Sequence, residues 1–175
     1  MEIWLLDGAV IAALLGAYFD VISARIPNRL TYPAIVLGLI LRLVFLGWRG
    51  LGSGVLGLLV CGGLFFILFA IRALGGGDVK LMATVGAWIG VGHTGTALIV
   101  CAIAGGIIAM GYVVLHKRYQ TTFSNVASIM KFHAVSGVKP HPEINLSSAK
   151  AVRMPYGVAI AAGAVATLIT TIWKG

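Results

Sequence analysis

Long apolar segments separated by short polar breaks dominate the sequence. The six segments cover residues 3–22, 30–47, 51–71, 79–91, 95–115 and 154–173. A helix needs about 20 apolar residues to cross a hydrocarbon layer about 30 Å thick. Residues 79–91 fall short of this, since they cover about 20 Å as a helix. The pattern predicts an all-α, polytopic membrane protein with about six transmembrane helices.

Composition supports a membrane location. The chain is 59% hydrophobic and 10% charged, whereas soluble domains are about 45–50% apolar and about 25% charged. We therefore expect residues 1–175 to form a single integral membrane domain. The formal net charge of +8 would suggest nucleic acid as the partner of a soluble protein. In a membrane protein such a positive charge indicates cytoplasmic loops that contact anionic lipid. Membrane lipid is therefore the expected partner, and nucleic acid is not.

The distribution of positive charge predicts the topology. Most of the 13 Lys and Arg residues lie in the connections after the first, third and fifth segments. Positive charge collects on the cytoplasmic side, so these connections are predicted inside and both termini outside. The largest is a basic loop of residues 116–153. Arg42 lies within the second segment, and we expect its side chain to snorkel toward the outer surface.

Acidic residues are rare, which makes their positions informative. The chain has five acids, Glu2, Asp7, Asp20, Asp78 and Glu143. The predicted topology places Asp20 and Asp78 at cytoplasmic helix ends, and an ionisable group at such a place is a functional candidate because it is costly there. Asp7 is about 20 Å from Asp20 along a helix, so it is predicted to be a solvated acid at the outer interface.

A pair of neighbouring carboxylates can hydrolyse a peptide bond. Only one of the two ionises cheaply, so the pair offers a base and an acid together. The base takes a proton from water, which attacks the carbonyl, and the acid stabilises the oxyanion and protonates the leaving amine. Such chemistry requires no metal and no nucleophilic Ser or Cys. The alternative is that Asp20 and Asp78 are solvated, or form salt bridges with Arg25 or Lys80.

Glycine is abundant around these acids and within the helices. Gly75, Gly76 and Gly77 precede Asp78, and we expect them to adopt positive φ and to let an extended peptide approach. Lys80 is predicted to be an electrostatic neighbour of the pair or a lipid contact. Other glycines are expected to let helix backbones approach closely; they are Gly52, Gly54, Gly57, Gly86, Gly90 and Gly157.

Three motifs resemble those of the type IV prepilin peptidases. Gly75-Gly76-Gly77-Asp78, followed by Val79-Lys80-Leu81, resembles the family's G-x-G-D signature. Asp20, followed by Ile26-Pro27-Asn28-Arg29-Leu30-Thr31, resembles its first aspartate motif. Met154-Pro155-Tyr156-Gly157 resembles the motif that opens its last helix. The short form that serves Tad/Flp pili is the most similar.

The resemblance implies an aspartic endopeptidase of the bacterial inner membrane that cuts the leader from prepilins or pseudopilins on the cytoplasmic side. Asp20 and Asp78 match the catalytic aspartates. Contact with other pilus-assembly proteins is also implied, without any metal or cofactor. The paired cysteines of long members are absent, so neither methyltransferase activity nor an S-adenosylmethionine site is expected. The residues expected in substrate-binding and loop roles are Gly75, Gly76, Gly77, Lys80, Pro27, Asn28, Pro155 and Gly157.

Two other functions remain open. The first is a related G-x-G-D protease, of the preflagellin or signal-peptide-peptidase type. The second is a small proton-coupled transporter that uses Asp20 and Asp78 to carry protons. A transporter would favour acids near the membrane midplane and two related halves, whereas these acids are predicted near one face and the chain shows no clear repeat.

Overall fold

The computed structural model describes residues 3–115, 128 and 154–174, and helices make up nearly all of them. The helices are α1 (Ile3–Ser23), α2 (Asn28–Ala70), α3 (Gly76–Ile89), α4 (Thr94–Leu115) and α5 (Gly157–Lys174), with a 3₁₀ turn at Val91–His93. The all-α prediction is confirmed for this part of the chain. Nearly all of the predicted basic loop, residues 116–153, lies outside the described residues.

Four helices in the described ranges are long and apolar enough to cross a membrane. They are α1, α2, α5 and the stretch Val91–Leu115, which contains α4. α3 has 14 residues and is shorter than a span of about 20 residues. The described residues are therefore rich in candidate membrane spans. Helix length gives four spans, whereas the sequence predicts about six transmembrane helices.

A break at Gly47 divides α2 into two segments. Gly47 has φ 64° and ψ −161°, a conformation that residues with a Cβ rarely adopt. The segments on either side of Gly47 run along α3 in opposite directions. Contacting pairs are Thr31 with Thr84 and Ala34 with Trp88 before the break, and Gly57 with Gly86 and Gly62 with Ala83 after it. α2 is thus a hairpin of two helical segments, although the two apolar segments predicted there form one 43-residue element.

α3 is the central helix of the bundle. Every residue from 81 to 90 is buried, and the Trp88 indole fixes the packing. Trp88 Nε1 donates a hydrogen bond of 2.8 Å to the carbonyl oxygen of Ala34. The ring packs against Gly8 of α1 and Gly38 of α2, where a Cβ would collide with it. The last turn of α3 is therefore held by α1 on one side and by α2 on another.

Close backbone contact joins α2 to α3 at Gly57 and Gly86. A Cβ on either glycine would collide with the carbonyl oxygen of the other. The prediction that these two glycines allow close approach is confirmed. Gly52 differs, because a Cβ there would meet nothing within 4 Å. The predicted packing role of Gly52 is wrong.

Arg42 is buried, which contradicts the prediction that it snorkels. Its side chain is 4% exposed. Nε donates to the Gly50 carbonyl at 2.9 Å, Nη1 to the Trp88 carbonyl at 2.8 Å and Nη2 to Ser53 Oγ at 3.1 Å. The last carbonyls of a helix lack intrahelical partners, and Arg42 supplies one at the end of α3. It thereby ties both segments of α2 to the end of α3 opposite Asp78.

Candidate active site

Asp20 and Asp78 line one cavity of about 630 Å³ at one end of the bundle. Asp20 comes from the last turns of α1 and Asp78 from the first turn of α3. The remaining walls come from three connections between helices and from the end of α4. The other lining residues are Val21, Ala24, Arg25, Ile26, Ala73, Leu74, Gly75, Gly76, Gly77, Lys80, Tyr112, Met154, Pro155 and Tyr156. The fold thus brings the two predicted acids together.

Asp20 is half-buried and is held by the first residue of α5. Its Oδ2 accepts a hydrogen bond of 2.8 Å from the backbone N–H of Gly157. The first N–H groups of a helix have no intrahelical partner, and they favour a negative charge nearby. A Cβ on Gly157 would lie 3.0 Å from Cα of Ala17 and 3.1 Å from Oδ2 of Asp20. Glycine at position 157 therefore permits the approach of α5 to the Asp20 carboxylate.

Asp78 is more deeply buried, at 9% exposure. Its Oδ2 accepts a hydrogen bond of 3.0 Å from the backbone N–H of Gly75, the residue that caps α3. Asp78 lies outside the four candidate spans. Burial, followed by the negative charge of Asp20, raises the pKa of the Asp78 carboxyl from 3.8 to about 6, while the Gly75 hydrogen bond lowers it. A helix dipole contributes about 0.3–1 kcal/mol and burial of a carboxylate costs several kcal/mol, so burial dominates.

The two carboxylates are bound by backbone groups and not by cations. Within residues 3–115 and 154–174, no ion pair joins Asp20 or Asp78 to a Lys or Arg side chain. Arg25 and Lys80 line the same cavity, but Lys80 Nζ donates to Asn28 Oδ1 at 2.8 Å. The alternative that these acids form salt bridges with Arg25 or Lys80 is wrong.

The glycine run Gly75–Gly77 lacks the predicted positive φ and packs against the α1–α2 connection. Gly75 has φ −82° and ψ 152°, and Gly76 and Gly77 begin α3. In the described residues, the glycines with positive φ are Gly47 and Gly90, so the prediction of positive φ at Gly75–Gly77 is wrong. A Cβ on Gly77 would lie 3.2 Å from Cβ of Ile26. The run therefore lets the α1–α2 connection pack closely on the start of α3.

Lys80 and Asn28 join the start of α2 to α3. Besides its hydrogen bond to Asn28, the Lys80 ammonium lies 5.4 Å from the centroid of the Tyr32 ring. Pro27, in an extended conformation, caps the start of α2. Among the predicted substrate-binding and loop residues, Pro27, Asn28 and Gly157 lie outside the cavity lining, whereas Gly75–Gly77, Lys80 and Pro155 line it.

Tyr156 and Tyr112 also line the cavity, although the sequence pattern predicts no role for them. The Tyr156 ring packs edge-on against Phe65, with 6.2 Å between centroids, and its hydroxyl lies where a Cβ on Gly105 would collide. Burial is the largest of the causes that raise the pKa of the Tyr156 hydroxyl. In the sequence, the one feature that points to Tyr156 is its position next to Gly157 in the segment Met154–Gly157.

A sequence model of the type IV leader peptidase family matches residues 8–110, which is more than half of the chain. The chain belongs to the type IV leader peptidase family. The matched residues contain both aspartates of the cavity, whereas residues 154–157, the third segment of the stated resemblance, lie beyond them. The resemblance stated from the motifs is confirmed.

Three curated relatives carry the name "Prepilin leader peptidase/N-methyltransferase". The protein of Aeromonas salmonicida is 30% identical over 111 residues, 59% of this chain and 38% of the relative. That of Aeromonas hydrophila is 29% identical over the same shares. That of Neisseria gonorrhoeae is 32% identical over 123 residues, 65% of this chain and 43% of the relative. The chain thus spans about two-fifths of their length. No solved structure matches this chain.

Proposed function

We propose that this chain is a membrane-embedded aspartic endopeptidase that removes the leader from prepilins or prepilin-like subunits. The observation that carries the proposal is that one cavity holds both Asp20 and Asp78, and that no Lys or Arg of the described residues forms an ion pair with either. The names of the curated relatives support prepilin as the substrate class. Family membership supports peptide hydrolysis.

The two carboxylates are proposed to activate water directly. One carboxylate accepts a proton from water, and the resulting hydroxyl oxygen bonds to the carbonyl carbon of the scissile peptide. The other carboxyl group stabilises the oxyanion and gives its proton to the leaving nitrogen as the C–N bond breaks. The cavity has room for an extended peptide beside Gly75–Gly77 and Pro155, which line it. Neither a metal nor a cofactor takes part in this scheme.

We further propose that the cavity opens to the cytoplasm and that the chain crosses the membrane six times. The hairpin at Gly47 supports two crossings by α2, and α3 would make the short crossing at the centre. The three connections that hold most Lys and Arg residues all contribute to or adjoin the cavity, through Arg25, Leu74 and Met154. The positive-inside rule then favours a cytoplasmic cavity, with both termini outside.

Within the family, we assign this chain to the type that serves Tad/Flp pili, located in the bacterial inner membrane. This type would have peptidase activity and no methyltransferase activity. Membrane lipid and other pilus-assembly proteins would be its further partners. Mass spectrometry of a pilin processed by the purified chain tests this assignment, because an N-methylated product would contradict it. The transporter alternative gains no support from the geometry, since both acids lie at one end of the bundle and not near its middle.

A mobility shift on gels tests the peptidase proposal. The chain is co-expressed with a Flp-type prepilin, and wild type is compared with Asp20→Asn, Asp78→Asn and Asp7→Asn at matched membrane levels. Asp7 is exposed near the opposite end of α1, which makes Asp7→Asn a matched control. We expect wild type and Asp7→Asn to shorten the prepilin and the other two variants to leave it intact. Normal processing by Asp20→Asn or Asp78→Asn would disprove the paired mechanism.

A further inference from the structure

The two acids of the cavity differ in their surroundings. Each accepts one backbone hydrogen bond at a helix start, from Gly157 at 2.8 Å for Asp20 and from Gly75 at 3.0 Å for Asp78. Because the helix starts favour a negative charge at both sites, they do not distinguish the two acids. Burial does, since Asp78 is 9% exposed while Asp20 is half-buried. Burial therefore leaves the charged form of Asp78 less hydrated than that of Asp20.

The groups that face Asp78 do not compensate for this loss. Among the described residues, the titratable and charged groups near Asp78 are Asp20 on α1, Arg25 in the α1–α2 connection, Lys80 on α3, Cys101 and Tyr112 on α4, and Tyr156 ahead of α5. Lys80 is bound to Asn28, and the described residues contain no ion pair to Asp78. Asp20 is the neighbouring acid, and its negative charge disfavours ionisation of Asp78.

We propose that Asp78 holds the proton of the pair and acts as the general acid, whereas Asp20 is ionised and acts as the general base. This division of roles rests on the proposed peptidase function. The hydrogen bond from Gly75 occupies Oδ2 of Asp78, which leaves Oδ1 to carry the proton. The N–H of Gly157 occupies Oδ2 of Asp20, which leaves Oδ1 to accept a proton from water.

The protons balance over one turnover. Asp20 takes a proton from water while the water oxygen bonds to the carbonyl carbon, and the carbonyl electrons move onto oxygen. The Asp78 proton then passes to the leaving nitrogen as the C–N bond breaks and the C=O bond re-forms. The products are a carboxylic acid and an amine. The pair now holds its proton on Asp20, and exchange with cavity water returns it to Asp78.

Carbon-13 NMR of the free enzyme in detergent tests which acid holds the proton. The chain has three aspartates, Asp7, Asp20 and Asp78, so label in the aspartate side-chain carboxyl gives three resonances. Asp7→Asn, Asp20→Asn and Asp78→Asn assign them by loss. If one of the three variants fails to fold, the other two still assign their resonances, and the remaining resonance is assigned by elimination. The titration runs from about pH 4 to about pH 8, across the usual range of carboxyl and imidazole groups.

We expect the Asp78 resonance to change from the protonated to the ionised position near pH 6, which would make Asp78 the acid of the pair that keeps its proton to the higher pH. In Asp20→Asn the Asp78 change should move to lower pH, since one negative charge is removed. The proposal is overturned if Asp20 keeps its proton to the higher pH, or if both resonances are fully ionised at about pH 5. No substrate is present, so the result is independent of whether prepilin is the substrate.

A second measurement tests the roles themselves. A prepilin peptide with an ester in place of the scissile amide needs less protonation of its leaving group. The ratio of ester to amide cleavage should rise about tenfold or more in Asp78→Asn, since general acid catalysis contributes about 10²–10⁴-fold, and stay near the wild-type ratio in Asp20→Asn. A rise in Asp20→Asn instead would reverse the roles. If wild type cleaves neither peptide, the proposed function fails, and the NMR titration still decides the protonation.

Discussion

The backbone N–H of Gly157 donates a hydrogen bond of 2.8 Å to Oδ2 of Asp20, although 137 residues separate them. This bond joins the start of α5 to the end of α1. It explains why the segment Met154–Gly157 belongs to the site even though it carries no acid. The Asp20 carboxylate depends on the position of a helix from the far end of the chain.

Replacing Gly157 by alanine should impair catalysis. The added Cβ would lie 3.0 Å from Cα of Ala17 and 3.1 Å from Oδ2 of Asp20, so α5 or the carboxylate must move. A displacement of about 1 Å can cost about 100-fold in rate. We expect Gly157→Ala to slow prepilin processing about tenfold or more in a time-course gel assay.

Gly106→Ala is the matched control for Gly157→Ala. A Cβ on Gly106 meets nothing within 4 Å, so processing should proceed at the wild-type rate. Equal rates for the two variants at matched protein levels would show that the Gly157–Asp20 bond does not position the carboxylate.

Stability should depend on pH through Asp78. Its pKa is about 6 in the folded protein and 3.8 ordinarily, so the folded state binds the proton more tightly. The contribution of Asp78 to stability is therefore complete below about pH 4 and is lost as pH rises through about 6. The melting temperature of wild type minus that of Asp78→Asn should fall over this interval in detergent. A difference that stays constant with pH would contradict a raised pKa.

Arg42 should contribute to stability through its three hydrogen bonds. Arg42→Met leaves the buried carbonyls of Gly50 and Trp88 without their side-chain donor, and an unsatisfied buried acceptor costs about 1–3 kcal/mol. We expect a loss of about that size in the free energy of unfolding, measured as a lower melting temperature in detergent. Arg49→Met changes an exposed arginine of the same hairpin and should melt like wild type. A snorkelling Arg42 would give the two variants the same melting temperature.

The helix crossing at Gly86 offers a second packing test. A Cβ there would collide with the carbonyl oxygen of Gly57, and overpacking typically costs about 1–3 kcal/mol. Gly86→Ala should lower the melting temperature accordingly. Gly63→Ala places a methyl group where nothing lies within 4 Å, so it should melt at or above the wild-type temperature. Equal melting temperatures for the two variants would show that the close contact between Gly57 and Gly86 does not limit stability.

Much of the fold was predictable because apolar runs and polar breaks are local properties. The runs at residues 3–22, 79–91 and 95–115 match α1, α3 and α4 closely. The break between the second and third runs was also correct in place, but its form was not. Gly47 reverses the chain within one residue, and the sequence there does not distinguish such a reversal from an ordinary loop.

The Arg42 prediction failed for a related reason. Position along a helix suggested that the guanidinium reaches the surface, but the neighbours of a side chain depend on which helices pack beside it. The unpaired carbonyl of Trp88 at the end of α3 provides a buried partner. Likewise, positive φ was plausible at Gly75–Gly77 from residue type alone, whereas packing against Ile26 is the constraint that the fold imposes.

The sequence by itself determined the helices, the basic connections and the two acids that lie at helix ends, because hydropathy and charge act locally along the chain. Only the tertiary structure decided that Asp20 is held by Gly157 and that Asp78 is the more buried acid. The environment of a carboxylate depends on the water and the N–H groups that remain around it after the helices pack. Those groups come from segments far apart in sequence, so no local pattern encodes them.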